Sequence, residues 1–270
     1  MKPDTLTEWI RNLEINGTNT FSVEEVRIQF PEISEQNLKN TLHRFALNNR
    51  IASMYKGFYV IIPPHYAAKG IVPPTYYIDQ LMQFIGKPYY ISLLSAAEFF
   101  GAAHQRSQRF FVTTILPSTN VSKDKNKLLN WLFRKDIPEE FLLQKNSETG
   151  TVRFSNAELT AIDLVQYENA VGGLSRVATV LDELCEQCDF TKVNNDLLDF
   201  TSISVIQRLG YILENVLEQK KQADVLYEKL LDYGKRLNYV LLSTRSTKET
   251  TLRDSRWKIN INSEIETDDI

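Results

Sequence analysis

The apolar residues near the start of the chain recur at the three- and four-residue spacing of an amphipathic helix. Leu6, Trp9, Ile10 and Leu13 share one face of a helix that we expect over residues 4–14. Polar residues fill the other face, and a turn rich in Asn and Gly follows. The pattern predicts a short surface helix whose apolar face packs on the elements that come next.

Two further helices are expected on either side of a proline. Ser22 predicts the start of the first, over residues 22–30, because a glutamate three residues later completes a capping box. Pro31 ends that helix, since the residue before a proline disfavours helical backbone. Ser34 then predicts the start of the second helix, over residues 35–49.

The helix over residues 35–49 has an apolar stripe and a polar stripe. Leu38, Leu42, Phe45 and Ala46 form the apolar stripe. At about 100° per residue, the opposite stripe carries polar residues, namely Gln36, Asn40, His43, Arg44 and, beyond the helix, Arg50. Leu47 also falls on the polar stripe, and we expect it to pack beneath the hairpin that follows.

The next residues predict a two-stranded hairpin. Residues 51–54 form the first strand and residues 58–62, all aromatic or β-branched, form the second, and a glycine in the intervening Tyr55-Lys56-Gly57 supplies the turn. Three short helices followed by such a hairpin are the element order of a winged helix-turn-helix. We therefore predict a winged-helix DNA-binding domain over residues 1–65.

Charge is distributed unevenly along this segment. Residues 36–78 contain five basic residues and no Asp or Glu, whereas residues 1–35 contain seven acids against three bases. A surface that binds phosphates needs cations and avoids carboxylates. The distribution predicts DNA as the ligand of the third helix and the hairpin. The alternative is a winged-helix module that makes only protein contacts and whose polar stripe is solvated.

Prolines at positions 63–64 and 73–74 bracket a short connector, which we place at residues 66–74. Residues 75–270 then mix helical and β patterns, which predicts a second domain. The expected fold class is α+β, with an N-terminal winged helix-turn-helix followed by a mixed α/β C-terminal domain. Its expected helices cover residues 75–85, 92–100, 156–164, 168–184, 202–219 and 223–233. Its expected strands cover residues 109–116, 128–133, 141–143, 150–154, 239–242 and 257–261.

The sequence contains no recognised catalytic motif. It lacks a P-loop, a dinucleotide-binding glycine pattern, an H-E-x-x-H pair and a nucleophile elbow. A nucleotidyltransferase signature, with spaced aspartates for metal ions, is also missing. We therefore expect no catalytic residues, no cofactor and no enzymatic activity.

Cysteine usage and hydropathy bear on metal binding and location. Cys185 and Cys188 stand in a C-x-x-C spacing, but a zinc site needs four ligands and the three histidines lie far away in sequence. We expect reduced thiols and no metal. No apolar run approaches the roughly 20 residues that span a bilayer, and the N-terminus lacks a secretory core, so a cytoplasmic location is expected.

A second basic cluster lies between an expected helix and an expected strand. It comprises His104, Arg106 and Arg109. One interpretation is a patch that binds phosphate or a partner and extends the basic face. The other is a solvated loop whose arginines bond to helix-end carbonyls.

Three stretches of the chain closely resemble the AbiEi antitoxins of AbiE-type abortive-infection systems. They are YKGFYVIIPPHYAAKGIVPPTYYIDQLMQFIGKPYYISLLSAAEFFGAAHQRSQRFFVTT, VIQRLGYILE from Val205, and RDSRWKININ from Arg253. The resemblance covers nearly the whole chain. It implies a bacterial antitoxin of a type IV toxin–antitoxin system that takes part in phage defence. Such an antitoxin represses its own operon and neutralises a nucleotidyltransferase toxin without forming a stable complex.

The resemblance also implies which residues contact promoter DNA. The matching positions are Gln36, Asn40, His43 and Arg44 of the third helix and Lys56 of the hairpin. Gln36 and Asn40 suit adenine and Arg44 suits guanine, because each can form paired hydrogen bonds with that base. Lys39, Arg50 and Lys56 would hold phosphates. No motif identifies the surface that neutralises the toxin.

The favoured function is therefore a transcriptional autorepressor and antitoxin that binds inverted repeats in its promoter as double-stranded DNA. One alternative is a winged-helix regulator whose C-terminal domain senses a small molecule. Another is a nuclease or transferase joined to a DNA-binding module. A sensor predicts a closed apolar pocket in residues 75–270, and an enzyme predicts clustered carboxylates. The antitoxin predicts a basic face on both domains.

Overall fold

The computed structural model of the chain describes residues 4–102, 108–117, 128–246 and 252–266. It contains both helices and sheets, which confirms a mixed α+β protein. The chain divides into two compact units. Unit 1 comprises residues 1–90, 112–137 and 144–153, and unit 2 comprises residues 91–111, 138–143 and 154–270.

The N-terminal part of unit 1 contains three helices and a three-stranded antiparallel sheet. Its elements are α1 (Leu6–Ile15), β1 (Thr20–Ser22), α2 (Val23–Gln29), α3 (Glu35–Leu47), β2 (Ile51–Tyr55) and β3 (Phe58–Ile61). The strand order is β1-β3-β2. The pairing of Phe21 with Tyr59 sets the register of β1, a strand that the sequence pattern did not predict.

Side-chain caps fix where these helices begin. The hydroxyl of Ser22 accepts the backbone N–H of Glu25, and the Glu25 carboxylate accepts the N–H of Ser22, so the predicted capping box is confirmed. Ser34 Oγ accepts the N–H of Asn37 at the start of α3. Thr5 caps α1 in the same way. The predicted helix starts therefore agree with the structure to within one or two residues.

One apolar core joins these elements. It consists of buried side chains from all three helices and all three strands, namely Leu6, Ile10, Phe21, Val26, Phe30, Leu38, Leu42, Phe45, Ile51 and Ile61. Trp9 meets Phe21 edge to face with 5.5 Å between ring centroids, and Phe21 stacks on Tyr59 at 5.4 Å. Burying each such side chain contributes about 1.5–3 kcal/mol, so this core holds α3 and the hairpin in place.

The chain then continues through short elements into a five-stranded sheet. They are α4 (Pro64–Ala67), a 3₁₀ turn (Pro74–Tyr76), α5 (Ile78–Ile85), β4 (Tyr89–Ile91), β5 (Phe110–Ile115), β6 (Leu129–Arg134), β7 (Leu142–Ser147) and β8 (Gly150–Ser155). The strand order is β6-β5-β4-β8-β7, and β4 runs parallel to β8. The strand over residues 109–116 is confirmed as an interior strand. The central strand β4 was not predicted.

Unit 2 is mainly helical. Its helices are α6 (Leu93–Ala97), α7 (Ala157–Gln166), α8 (Glu168–Val171), α9 (Leu174–Leu184), α10 (Asn195–Phe200), α11 (Ile203–Asn215) and α12 (Lys220–Asp232). A small sheet follows, with β9 (Val240–Leu241), β10 (Leu252–Asp254) and β11 (Ile259–Ile261) in the order β10-β11-β9. Helix α7 is buried along its length and contacts α6, α9 and α11.

A tryptophan joins the small sheet to α11 through packing and hydrogen bonds. The indole ring of Trp257 is fully buried, and a Cβ placed at Gly210 would lie 2.1 Å from that ring. Trp257 Nε1 donates to Glu214, and its carbonyl accepts the side-chain N–H of Gln207, both at 2.7 Å. Only glycine at position 210 leaves room for the ring. Residues 205–214 and residues 253–262 are therefore complementary in shape.

Arg256 adds ion pairs to the same junction. Its guanidinium lies 2.7 Å from Glu214 and 2.6 Å from Asp224. The side chain is 30% exposed, so these pairs are partly screened by solvent and serve chiefly to orient the chain next to Trp257.

Both cysteines are free thiols in the structure. Burial, reinforced by the charge of Asp182, raises the pKa of Cys185 to about 12. Burial also raises the pKa of Cys188, and Cys185 and Glu158 add to the shift. Little thiolate is therefore present at pH 8.

We expect iodoacetamide to alkylate the native protein much more slowly than the protein in 6 M guanidinium, as followed by mass spectrometry; equal rates would contradict this.

Candidate nucleic-acid interface

The polar stripe of α3 lies on the protein surface. Gln36, Asn40, His43 and Arg44 are all exposed, as predicted from the helical period. Gln36 Nε2 donates to Asn40 Oδ1 at 3.0 Å, one helical turn further on. That bond orients two amides side by side on the outer face of the helix, which is an arrangement suited to hydrogen bonding with base edges.

Leu47 corrects one expectation from the sequence. The side chain does not pack beneath the hairpin, because it is 71% exposed at the end of α3. Phe45, on the buried side of the helix, instead belongs to the same core as Ile51 and Ile61 of the hairpin. Leu47 is thus an aliphatic group on the outer stripe, where it could contact a thymine methyl group.

Cations flank this stripe, although Glu24 and Glu35 line the same groove as Lys39 and Lys56. Lys39, Arg44 and Lys56 are exposed, and within the described part of the chain they form no ion pair. Arg50 is half-buried, with its guanidinium 4.9 Å from the ring centroid of Phe45. That contact holds the charge of Arg50 at the end of the helix. The four predicted phosphate-binding or base-binding cations therefore remain available to an anion.

Glu24 and Glu25 of α2 and Glu35 of α3 already have polar partners. Arg27 pairs with Glu35 at 2.6 Å and with Glu24 at 3.5 Å, and Glu25 is held by its capping bonds to Ser22. These three carboxylates lie before α3 or at its first residue, next to the basic surface. The ion pairs with Arg27 partly offset the charge of Glu24 and Glu35. The sequence showed the acids but not this pairing.

The hairpin presents Lys56 at its tip. The strands are joined by Lys56-Gly57, and Gly57 has a φ of +82°, a conformation that favours glycine. The carbonyl of Gly57 accepts the backbone N–H of Val23 at 2.9 Å. Phe84 packs on Phe58 with 5.3 Å between centroids. The tip is therefore hydrogen-bonded to the start of α2, and Phe84 packs against the adjoining strand β3.

A groove of about 580 Å³ separates α3 from α2 and the hairpin. Lys39, His43 and Lys56 line it, whereas Gln36, Asn40 and Arg44 are not part of its lining. Apart from Arg50, the predicted residues thus fall into two sets. One set faces outward from α3, and the other lines the groove beside it.

The second predicted basic cluster is only partly described. His104 and Arg106 lie outside the described residues, and Arg109 is exposed just before β5. A patch formed by these three residues stays a prediction. Among the described residues, no group of three or more His, Cys, Asp or Glu side chains is arranged to hold a metal ion. No helix in the described ranges is long and apolar enough to cross a membrane.

Residues 90–215 match a family model described as the AbiEi antitoxin C-terminal domain. The matched segment covers slightly less than half of the chain. This match confirms the resemblance seen in the sequence, since it includes the segment VIQRLGYILE in α11. The proposed interface on α3 and the hairpin precedes the matched residues.

Two further likenesses accompany the AbiEi match. A protein of Enterobacteria phage T4, described as an uncharacterized 20.7 kDa protein in the nrdC-mobD intergenic region, is 28% identical over 130 residues. The aligned segment covers 48% of this chain and 67% of the phage protein. The crystal structure of the RV2827C protein from Mycobacterium tuberculosis matches 96% of this chain and 92% of its own, with a TM-score of 0.68. The identity is 14%, so this likeness shows the fold alone.

Proposed function

We propose that the protein is an antitoxin that also represses its own operon through a winged helix-turn-helix in residues 1–65. In this proposal α2 and α3 are the helix-turn-helix, α3 enters the major groove, and the β2–β3 hairpin is the wing. A connector at residues 66–74 leads to the antitoxin domain, proposed over residues 75–270. The observation that carries the DNA-binding part is the outer stripe of α3, where oriented amides lie among cations without ion pairs.

The chemistry of the stripe supports duplex DNA over a protein partner. Phosphate contacts supply most of the affinity for DNA and require cations such as Lys39, Arg50 and Lys56. Base recognition requires groups that pair with base edges, which the amides of Gln36 and Asn40 and the guanidinium of Arg44 provide. A surface used only for protein contacts would gain little from so many unpaired charges.

The AbiEi domain supports the antitoxin part of the proposal. We infer that the chain neutralises a cognate nucleotidyltransferase toxin without a stable complex, has no enzymatic activity of its own and contributes to phage defence. Both proposed partners, promoter DNA and toxin, place its action in the cytoplasm. A gene for a nucleotidyltransferase immediately downstream would be expected.

Arg44→Ala is expected to weaken binding to the chain's own promoter duplex by about 1–3 kcal/mol, because one guanidinium that can bind guanine is removed. A mobility-shift titration at fixed salt measures the change. Arg11→Ala is the matched control, since Arg11 is an exposed arginine on α1 away from the stripe. Equal affinities for Arg44→Ala and the wild type would refute the role of Arg44 in reading a base.

A further inference from the structure

The three-stranded sheet near the C-terminus has two different faces. Its register pairs Arg253 with Asn260 and Asn260 with Leu241, so these residues form one row across the sheet. Paired residues point to the same side of a sheet. Ile259 belongs to the alternate row and is fully buried, whereas Leu241 is 46% exposed and Arg253 is also exposed. Asn260, between them, is only partly exposed and its Oδ1 is buried, so we call the exposed ends of this row, Leu241 and Arg253, the outer face.

An aromatic ring on this outer face lies close to two cations. Tyr239 lies directly before β9, and Lys258 lies in the turn directly before β11, with a φ of +55°. The Tyr239 ring is 43% exposed. Its centroid lies 5.4 Å from the guanidinium of Arg253 and 5.3 Å from Nζ of Lys258. These distances show that the three side chains form one cluster.

The charge of residues 234–262 differs from that of the residues before them. Residues 234–262 contain seven basic residues and two acids, whereas residues 138–233 contain seventeen acids and eight bases. The cations of the outer face lack carboxylate partners in the described ranges. Asp254, on the other side of β10, accepts the backbone N–H of Trp257. The outer face is thus a basic surface within an otherwise acidic part of the chain.

We propose that this outer face binds single-stranded nucleic acid, with an unpaired base stacked on Tyr239 and the adjoining phosphates held by Arg253 and Lys258. An exposed aromatic ring on a β-sheet offers the flat surface on which unpaired bases stack, and neighbouring cations follow the backbone. A duplex hides the faces of its bases, so the ring favours a single strand. Leu241 extends the apolar surface beside the ring. This site is separate from the proposed duplex interface and does not depend on it.

The test uses the full chain and fluorescein-labelled twelve-nucleotide probes of one sequence, as single-stranded RNA, single-stranded DNA and DNA duplex. Tyr239→Ala should lower the affinity for the single strand by about tenfold, because one stacking contact is lost. Tyr239→Phe keeps the ring and should stay within about twofold of the wild type. Arg253→Gln with Lys258→Gln should reduce the salt dependence of binding by about 1.4 in log–log slope.

Each outcome of these titrations decides the proposal. Binding of RNA alone identifies RNA as the source of the unpaired base, and binding of both single strands includes DNA; either result supports the site. Failure of the wild type to bind either single strand overturns it. Unchanged single-strand affinity of Tyr239→Ala, or an equal loss for the duplex, also overturns it. Thermal melting of every variant ensures that unfolding does not cause a loss.

Discussion

Replacing Trp257 by Ala is expected to lower the free energy of unfolding by about 3–5 kcal/mol. The substitution removes a fully buried indole and leaves a cavity against α11. It also removes the hydrogen bond that Nε1 donates to Glu214 and leaves that carboxylate with Arg256 alone. Urea denaturation followed by circular dichroism measures the change.

Gly210→Ala tests whether the close approach of the Trp257 ring to position 210 contributes to stability apart from a general loss of packing. Alone, the added methyl group overlaps the Trp257 ring and should cost about 1–3 kcal/mol or more. In the Trp257→Ala background the methyl group enters vacated space, so the same change should cost almost nothing. Additive effects of the two substitutions would show that Gly210 and Trp257 do not constrain each other.

This junction connects the segment matched by the AbiEi model to residues that follow it in the chain. The match ends at residue 215, within the C-terminal end of α11. Gln207, Gly210 and Glu214 of that helix are all contacted by Trp257. Without residues 253–262, the face of α11 that contacts the indole ring would be exposed.

Replacing Lys39, Arg44 and Lys56 together by Gln is expected to lower affinity for the promoter duplex by at least about a hundredfold near physiological salt. Each lost phosphate contact removes about 0.9 from the log–log slope of affinity against salt, so the slope should fall by about 2–3. The three side chains are exposed and unpaired within the described ranges, so folding should be unaffected. A reporter fused to the promoter should be derepressed, while rescue from the toxin persists.

A matched triple variant controls for net charge. Arg11→Gln, Lys220→Gln and Lys221→Gln remove the same charge from exposed positions on α1 and α12. This control should keep wild-type affinity and salt slope. Equal losses in both triple variants would mean that α3 and the hairpin have no special role. Loss of toxin rescue in the Lys39, Arg44 and Lys56 variant would contradict the proposed division between repression and neutralisation.

Local chemistry explains why much of the N-terminal part could be predicted from sequence. Ser22 and Ser34 mark helix starts through bonds to residues three positions away, and Gly57 marks a turn through its own backbone conformation. The stripe of α3 follows from the helical period alone. Signals of this kind lie within a few residues of the feature that they determine, so a single sequence contains them.

Features that depend on distant residues were missed. Strand β1 comprises only Thr20–Ser22 and is defined by pairing with β3, nearly forty residues later. Strand β4, Tyr89–Ile91, is equally short, and pairing at the centre of its sheet identifies it. Leu47 was predicted to pack beneath the hairpin, but its side chain is exposed. The cationic cluster around Tyr239 requires three strands in register before its members meet.

Photo-crosslinking from α3 tests most directly whether this helix lies against duplex DNA. p-Benzoylphenylalanine placed at Gln36, which is exposed on the outer stripe, should crosslink to the promoter duplex upon irradiation, and the same group at Arg11 on α1 should not. A crosslink from position 36 that is competed by unlabelled promoter duplex is the result predicted here. Absence of that crosslink under conditions in which the promoter is bound, or equal crosslinking from position 11, would contradict the proposed interface.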